Sequence, residues 1–323
     1  MCTAITFGSP SEYFGRNLDF ERAWGESVVI TPRHFPFKYR FSNADKSHHA
    51  IIGMAAVIDG YPLYFDAINE YGLYIAGLNF VGNAVYHSVI PSADNVAQFE
   101  LIPYILGRVK NISEAKMLLN SINITDTKFR DDLPLAELHW LMADKEAAIT
   151  VEPMESGLNI IENQIGVLTN NPPFDFHIQN LIQYLNLTSK EAYNRFSQKI
   201  TLDTFSRGMG AIGLPGDLSS ASRFVRCTFT KLNAVIPKDK RNAIGQFFHI
   251  LGSVEQVEGC VQVGKSFERT QYMSCCDVKA LTYYYKTYHN SQITGVTLHP
   301  EYLDEASLSI FPLINSEQIR FEN

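Results

Sequence analysis

The sequence predicts an α+β fold in which antiparallel sheets are stacked in layers. Two observations predict it. Short apolar or alternating segments occupy both ends of the chain, with helical patterns between them. The early segments are spaced for hairpins, with Gly, Pro, Asn and Asp in the gaps, whereas a parallel sheet would alternate each strand with a helix. The 323 residues contain no repeat and no linker-like stretch, so residues 1–323 are read as one domain.

Taken in order, residues 3–7, 13–18, 27–30, 51–58 and 73–78 read as strands. Residues 98–109 carry apolar side chains at helical spacing, and Ser113 is placed to cap a second helix over 114–120. Residues 138–143, 147–152 and 158–162 return to strand. Pro172 and Pro173 precede an amphipathic stretch, 175–185. Residues 187–216 are polar and glycine-rich and read as a long excursion. Residues 222–235 and 241–251 read as helices, and 270–276, 281–287 and 292–298 close the chain as antiparallel strands.

Composition narrows the function. A net charge of −7 repels phosphate backbones, so no nucleic-acid partner is expected. Five cysteines in so large a chain are too few and too odd for a disulfide framework, which points to a reducing compartment. The N-terminus has no basic region leading into an apolar stretch, and the longest apolar run, Ile51–Ile58, is strand-sized. A cytoplasmic protein without a membrane segment is therefore the expectation.

Cys2 directly follows Met1. Loss of the initiator would leave a cysteine with a free α-amino group. An α-amine titrates at roughly 7.7–8.0, so it can take the thiol proton near neutrality and later return one to a leaving amine. The thiolate is the reactive form, and a nearby cation stabilises it. A hairpin from 3–7 to 13–18, turning at Gly8-Ser9-Pro10, would bring Arg16 and Asp19 beside Cys2. Arg16 could then favour the thiolate and Asp19 orient the amine. Taken alone, the two read rather as a surface ion pair worth about 0–1 kcal/mol.

Other residues fit the same chemistry. Asn79 ends an apolar strand, where a side-chain amide can donate to an oxyanion or simply make a turn. Asn170 and Asn171 stand before a helix start. Arg223 follows the tight Gly213-Leu214-Pro215-Gly216-Asp217 loop, either bracing a site or lying exposed on a helix. That loop lacks the Gly-Lys-Ser/Thr of a phosphate-binding loop. No metal site is expected. Cys275 and Cys276 are adjacent on a strand and point to opposite faces, and His48 and His49 have no partner at ligand spacing.

Read together, these segments resemble the choloylglycine hydrolase family of bile salt hydrolases and penicillin V acylases. The resemblance rests on Met1-Cys2-Thr3, Gly15-Arg16-Asn17-Leu18-Asp19, Ala76-Gly77-Leu78-Asn79, Leu138-His139-Trp140, Val167-Leu168-Thr169-Asn170 and the 213–217 loop with Ser222-Arg223-Phe224. Residues 247–251 and 270–272 extend it over essentially the whole chain. It implies an N-terminal nucleophile hydrolase fold, a four-layer αββα sandwich, matured by loss of Met1 alone. It further implies Cys2 as nucleophile and its amine as base, with Asp19 and Arg16 organising Cys2. Asn79 would serve the oxyanion hole with Asn170 in support, and Arg223 would complete the site. No cofactor is implied.

The 59–70 and 133–140 segments look closer to bile salt hydrolases, so the implied substrate is a glycine- or taurine-conjugated bile acid. Leu18, Trp24, Phe65, Leu135 and Leu138 are candidates for an apolar sterol pocket, or else ordinary core. Arg207 lies in the segment resembling the family's selectivity loop. It could meet a taurine sulfonate or a glycine carboxylate, with taurine favoured, or be a solvated loop arginine. The 187–216 excursion resembles the family's assembly segment, which implies a homotetramer. A penicillin V acylase, and a non-catalytic binder of sterols or acyl conjugates on the same fold, stay open as alternatives.

Overall fold

A computed structural model describes residues 1–9, 11–42 and 47–323. The chain opens with a hairpin, β1 (Cys2–Gly8) and β2 (Ser11–Phe20). Gly8 turns at φ 112°, and Pro10 of the expected turn lies outside the described residues. Then follow β3 (Glu26–Thr31), β4 (Ile51–Ile58), β5 (Tyr61–Asn69), β6 (Tyr74–Asn79) and β7 (Asp94–Ala97). A 3-10 turn (Gln98–Glu100) leads into α1 (Leu101–Leu106) and α2 (Ile112–Leu119). Next come β8 (Ile122–Thr125), β9 (Leu138–Ala143), β10 (Ala148–Met154), β11 (Gly157–Glu162) and β12 (Val167–Leu168). The helices α3 (Phe174–Leu181), α4 (Ser220–Asn233) and α5 (Lys240–Gly252) precede β13 (Val261–Val263), β14 (Ser266–Asp277), β15 (Thr282–Thr287), β16 (Asn290–Thr297) and β17 (Ser309–Pro312).

Two large antiparallel sheets result. One runs β12-β1-β2-β14-β15-β16, with β13 on β14; the other runs β11-β10-β9-β6-β5-β4-β3-β17. Helix α1 packs on β5 and β6, whereas α4 packs on β1 and β12, and α5 on β1, β2 and β14. The layers are therefore helix, sheet, sheet, helix. Strands covered on both faces need apolar side chains on both, which is why Ile51–Ile58 reads as a continuous run. Between the sheets, the rings of Phe14 and Tyr74 stack at 5.7 Å. Within the first sheet, Gly15 lets β2 and β14 lie close together, because a Cβ there would lie 2.0 Å from the Ser274 carbonyl oxygen.

The elements differ from the sequence reading in a few places. The single helix over 98–109 is a 3-10 turn followed by the shorter α1, ending at Gly107. Ser113 does not cap α2. Asn111 does, accepting from the Glu114 N–H at 2.9 Å, while the Glu114 carboxylate accepts from the Lys110 N–H at 2.8 Å. Asn caps as well as Ser, and Asn111 has the extended backbone a cap requires. β5 is the main addition. The Asp59-Gly60 pair turns with both φ positive, 52° and 75°, a strong hairpin signal. Pro62, next to that turn, disguises the strand that follows.

β5 carries a bulge. Met54 pairs with Asp66 and Ala55 with Tyr64, so Phe65 has no partner across β4. Bulges re-aim side chains. Here the extra residue sends Phe65 toward an internal cavity and Asp66 into the space between the sheets, fully buried.

Candidate active site

The β1–β2 pairing sets Cys2 opposite Leu18 and Ala4 opposite Arg16, as the hairpin argument expected. Cys2 is 1% exposed. Its N–H donates to Asn170 Oδ1 at 2.7 Å. Asn170 follows β12, which pairs with β1 through Ala4 and Leu168. Its Nδ2 donates to the Asn79 carbonyl at 2.8 Å, so one amide bridges the nitrogen of Cys2 and the end of β6.

Arg223 is buried within α4 rather than exposed on it. Its Nη1 donates to the Cys2 carbonyl at 2.5 Å and to Thr3 Oγ1 at 2.6 Å, and its Nη2 donates to Asn170 Oδ1 at 2.8 Å. Asp19 lies 3.9 Å from Arg223 Nη1 and accepts from Thr270 Oγ1 at 2.6 Å. Burial pushes the Asp19 carboxyl up, opposed by Arg223, the chain's N-terminal amine and Thr270. Arg16 and Asp19 are both fully buried, so the surface ion-pair alternative is excluded.

The Arg16 guanidinium is caged from the opposite side. Nη1 donates to the Phe65 carbonyl at 3.1 Å and to the Gly77 carbonyl, and Nε to the Asn17 carbonyl at 3.3 Å. Phe65 is the bulged residue of β5, and its carbonyl serves Arg16. Nη2 has no acceptor. Burial works to lower the Arg16 pKa, but Cys2, Tyr272 and Asp66 outweigh it and hold the guanidinium well above its usual range. Asp66 accepts from the hydroxyls of Tyr272 at 2.7 Å, Tyr283 at 2.9 Å and Ser274 at 2.9 Å. Burial raises the Asp66 carboxyl, with Arg16 the largest opposing influence.

Met1 sits over this centre. Its amine donates to the Asp19 carbonyl at 2.6 Å and pairs with the Glu268 carboxylate. Burial lowers the pKa of that amine, against Cys2 and Asp19.

A cavity of about 310 Å³ opens beside Cys2, with Arg16 and Asn79 on its wall. Leu18, Trp24, Phe65, Leu135 and Leu138 all line it. Arg207 does not. It is exposed on the 187–216 excursion, away from the cavity lining, so it does not bear on a ligand there within one chain. Asn170 and Arg223 hydrogen-bond the Cys2 backbone, Asp19 lies beside Arg223, and none of the three lines the cavity.

Several contributors were assigned no role from the sequence. Asp66 lay inside a recognised segment without a role, because only the bulge turns it inward. His139 and Glu152, 3.2 Å apart and buried, brace the loop before Asn170: His139 Nε2 bonds the Thr169 carbonyl at 2.9 Å. The Ser220 hydroxyl accepts from the Asn170 N–H at 2.9 Å. Among the described residues no three His, Cys, Asp or Glu converge as a metal site.

Known proteins resemble this chain in sequence and in fold. A bile salt hydrolase/transferase from Lactiplantibacillus plantarum is 49% identical over 98% of each chain. A crystal structure of a conjugated bile acid hydrolase variant from Clostridium perfringens superposes with a TM-score of 0.91 at 32% identity, covering both chains fully. A penicillin V acylase from Agrobacterium tumefaciens shares the fold, with a TM-score of 0.73 at 14% identity over 99% of this chain and 100% of its own. The architecture is that of an N-terminal nucleophile hydrolase. Residues 2–311 match the family described as linear amide C–N hydrolases, choloylglycine hydrolase family. With that match over nearly the whole chain and a relative 49% identical, the chain belongs to the choloylglycine hydrolase family and is a linear amide C–N hydrolase.

Proposed function

We propose that the protein hydrolyses the amide bond of glycine- or taurine-conjugated bile acids, with Cys2 as nucleophile once Met1 is removed. The observation that carries this reading is the meeting of Cys2 with an apolar cavity: Leu18, Trp24, Phe65, Leu135 and Leu138 offer a surface for a fused-ring body beside the sulfur. The relatives named bile salt hydrolase/transferase and conjugated bile acid hydrolase support the same substrate class.

The neutral α-amine of Cys2 takes the thiol proton, and the thiolate attacks the amide carbonyl carbon. The carbonyl electrons move onto oxygen, where the Asn79 side chain and backbone N–H groups meet the oxyanion. The ammonium returns its proton to the amide nitrogen as the C–N bond breaks, releasing glycine or taurine and leaving a thioester. Water then attacks the thioester, its proton passing to the α-amine, and the thiol is restored. Arg16 lends positive charge beside the sulfur, while Asn170, Asp19 and Arg223 are positioning residues that aim the nitrogen of Cys2. The cation that favoured taurine, Arg207, stands apart from the cavity, so this reading carries no preference between the two conjugates.

We also read residues 1–323 as one domain that works in the cytoplasm as a homotetramer assembled through the 187–216 excursion. Exposed Tyr193, Phe196 and Phe205 on that segment support the assembly.

The test is a kinetic comparison of glycocholate, taurocholate and penicillin V with the purified enzyme. Both bile salts should turn over faster. Faster turnover of penicillin V than of both would overturn the substrate class and leave the amidase chemistry standing.

A further inference from the structure

We propose that Gln98 is a specificity-determining residue, holding a hydroxyl on the apolar body of the substrate at the end of the cavity remote from Cys2. The proposal deepens the bile-acid reading above and rests on it.

Buried polar atoms without a partner are rare, because leaving one unpaired costs about 1–3 kcal/mol. Among the described residues, two that line the cavity carry such an atom: Arg16, at Nη2, and Gln98, at Oε1. Arg16 stands beside Cys2, where the amide is cut. Gln98 lies elsewhere. The cavity wall follows β5 from Phe65, whose carbonyl holds Arg16, toward Tyr61, whose ring meets those of Phe99 and Phe129. Four residues of strand span about 13 Å. Gln98 adjoins Phe99 at that far end.

Gln98 is held in place as a binding group should be. It is 4% exposed and begins a 3-10 turn. The Glu100 carboxylate accepts from the Ala97 N–H at 3.2 Å and from the Arg40 N–H at 2.8 Å, locking both sides of that turn. Phe99 packs edge-on against Phe129 at 5.2 Å. The hydroxyl of Tyr64, also on the wall, is already engaged with Thr31 Oγ1 at 2.6 Å. An otherwise apolar end, lined by Ile58, Phe99, Phe129 and Leu133, thus includes one buried amide whose Oε1 has no partner.

The chemistry selects a hydroxyl. An amide offers a carbonyl acceptor and two N–H donors, and a hydroxyl is donor and acceptor at once. It can donate to Oε1 or accept from Nε2. A bare hydrocarbon ring would leave Oε1 unpaired. One such bond changes binding roughly three- to tenfold.

The test compares kcat/KM for two glycine conjugates below their micellar concentrations. One is of 5β-cholanic acid, with no ring hydroxyl; the other is of lithocholic acid, with one hydroxyl on the ring farthest from the amide. The wild-type enzyme should favour the hydroxylated conjugate roughly three- to tenfold. In Gln98→Leu and Gln98→Met the ratio should fall to near one. A wild-type ratio near one overturns the proposal even if a variant fails to fold, and so does a ratio kept by both variants. Equal hydrolysis of both conjugates removes Gln98 alone, whereas hydrolysis of neither removes the bile-acid reading with it.

Discussion

At the residue scale, the centre is organised around one amide. Asn170 Oδ1 receives both the nitrogen of Cys2 and Arg223 Nη2, and its Nδ2 reaches back to the carbonyl of Asn79. The proposed nucleophile, base and oxyanion donor are therefore indexed to a single side chain. Asn170 is absent from the cavity lining, so it has little to do with holding the substrate. Replacing it should loosen the base without emptying the pocket. Asn170→Ala is expected to lower kcat by about 10²–10³-fold, the usual scale for removing one preorganised donor, with KM changed far less. Steady-state kinetics on glycocholate check this. An unchanged kcat, or a loss confined to KM, would contradict the positioning role.

At the scale of elements, the legible ones were those whose pattern matches a single environment. β1, β4 and β9 are apolar because both faces are covered, and β14 to β16 sit close to where alternation and aromatic residues place them. β5 was hidden by Pro62 and by the bulge at Phe65, which breaks alternation in the place where the site needs it broken. The cap of α2 moved from Ser113 to Asn111, because both residues can cap and only the folded turn decides. The 187–216 excursion contains no strand and a single 3-10 turn, Met209–Ala211. Its exposed aromatics, Phe196 at 85% and Phe205 at 87%, make sense when a neighbouring copy covers them. Sedimentation of the purified protein is expected to give a tetramer. Charged replacements at Phe196 and Phe205 should shift it toward smaller species, and a wild-type monomer would contradict the assembly.

At the scale of the whole molecule, two sheets facing each other create the site. Cys2, Arg16 and Asp19 come from the β1–β2 hairpin of one sheet, Phe65 and Asn79 from the other sheet, Asn170 from the loop after β12 and Arg223 from α4. The identity of these residues was readable in the chain because the hairpin register follows from local turn chemistry, and because the motifs occur in a recognisable order. Their burial was not. Arg16, Asp19 and Arg223 read equally well as surface charges, since only the stacking of layers removes them from water. Asp66 and Gln98 were invisible for the same reason: an orphaned amide or a buried carboxylate exists only in three dimensions.

The claim on which all this rests is that the working nucleophile and base are the thiol and α-amine of one residue. As the chain stands, the Met1 amine occupies Asp19 and Glu268, and Cys2 carries an amide nitrogen in place of an amine. Intact-mass analysis of the purified, active enzyme tests the claim most directly. The mass should be that of the chain less one methionine, beginning at Cys2. Full hydrolytic activity in protein that retains Met1 would contradict it.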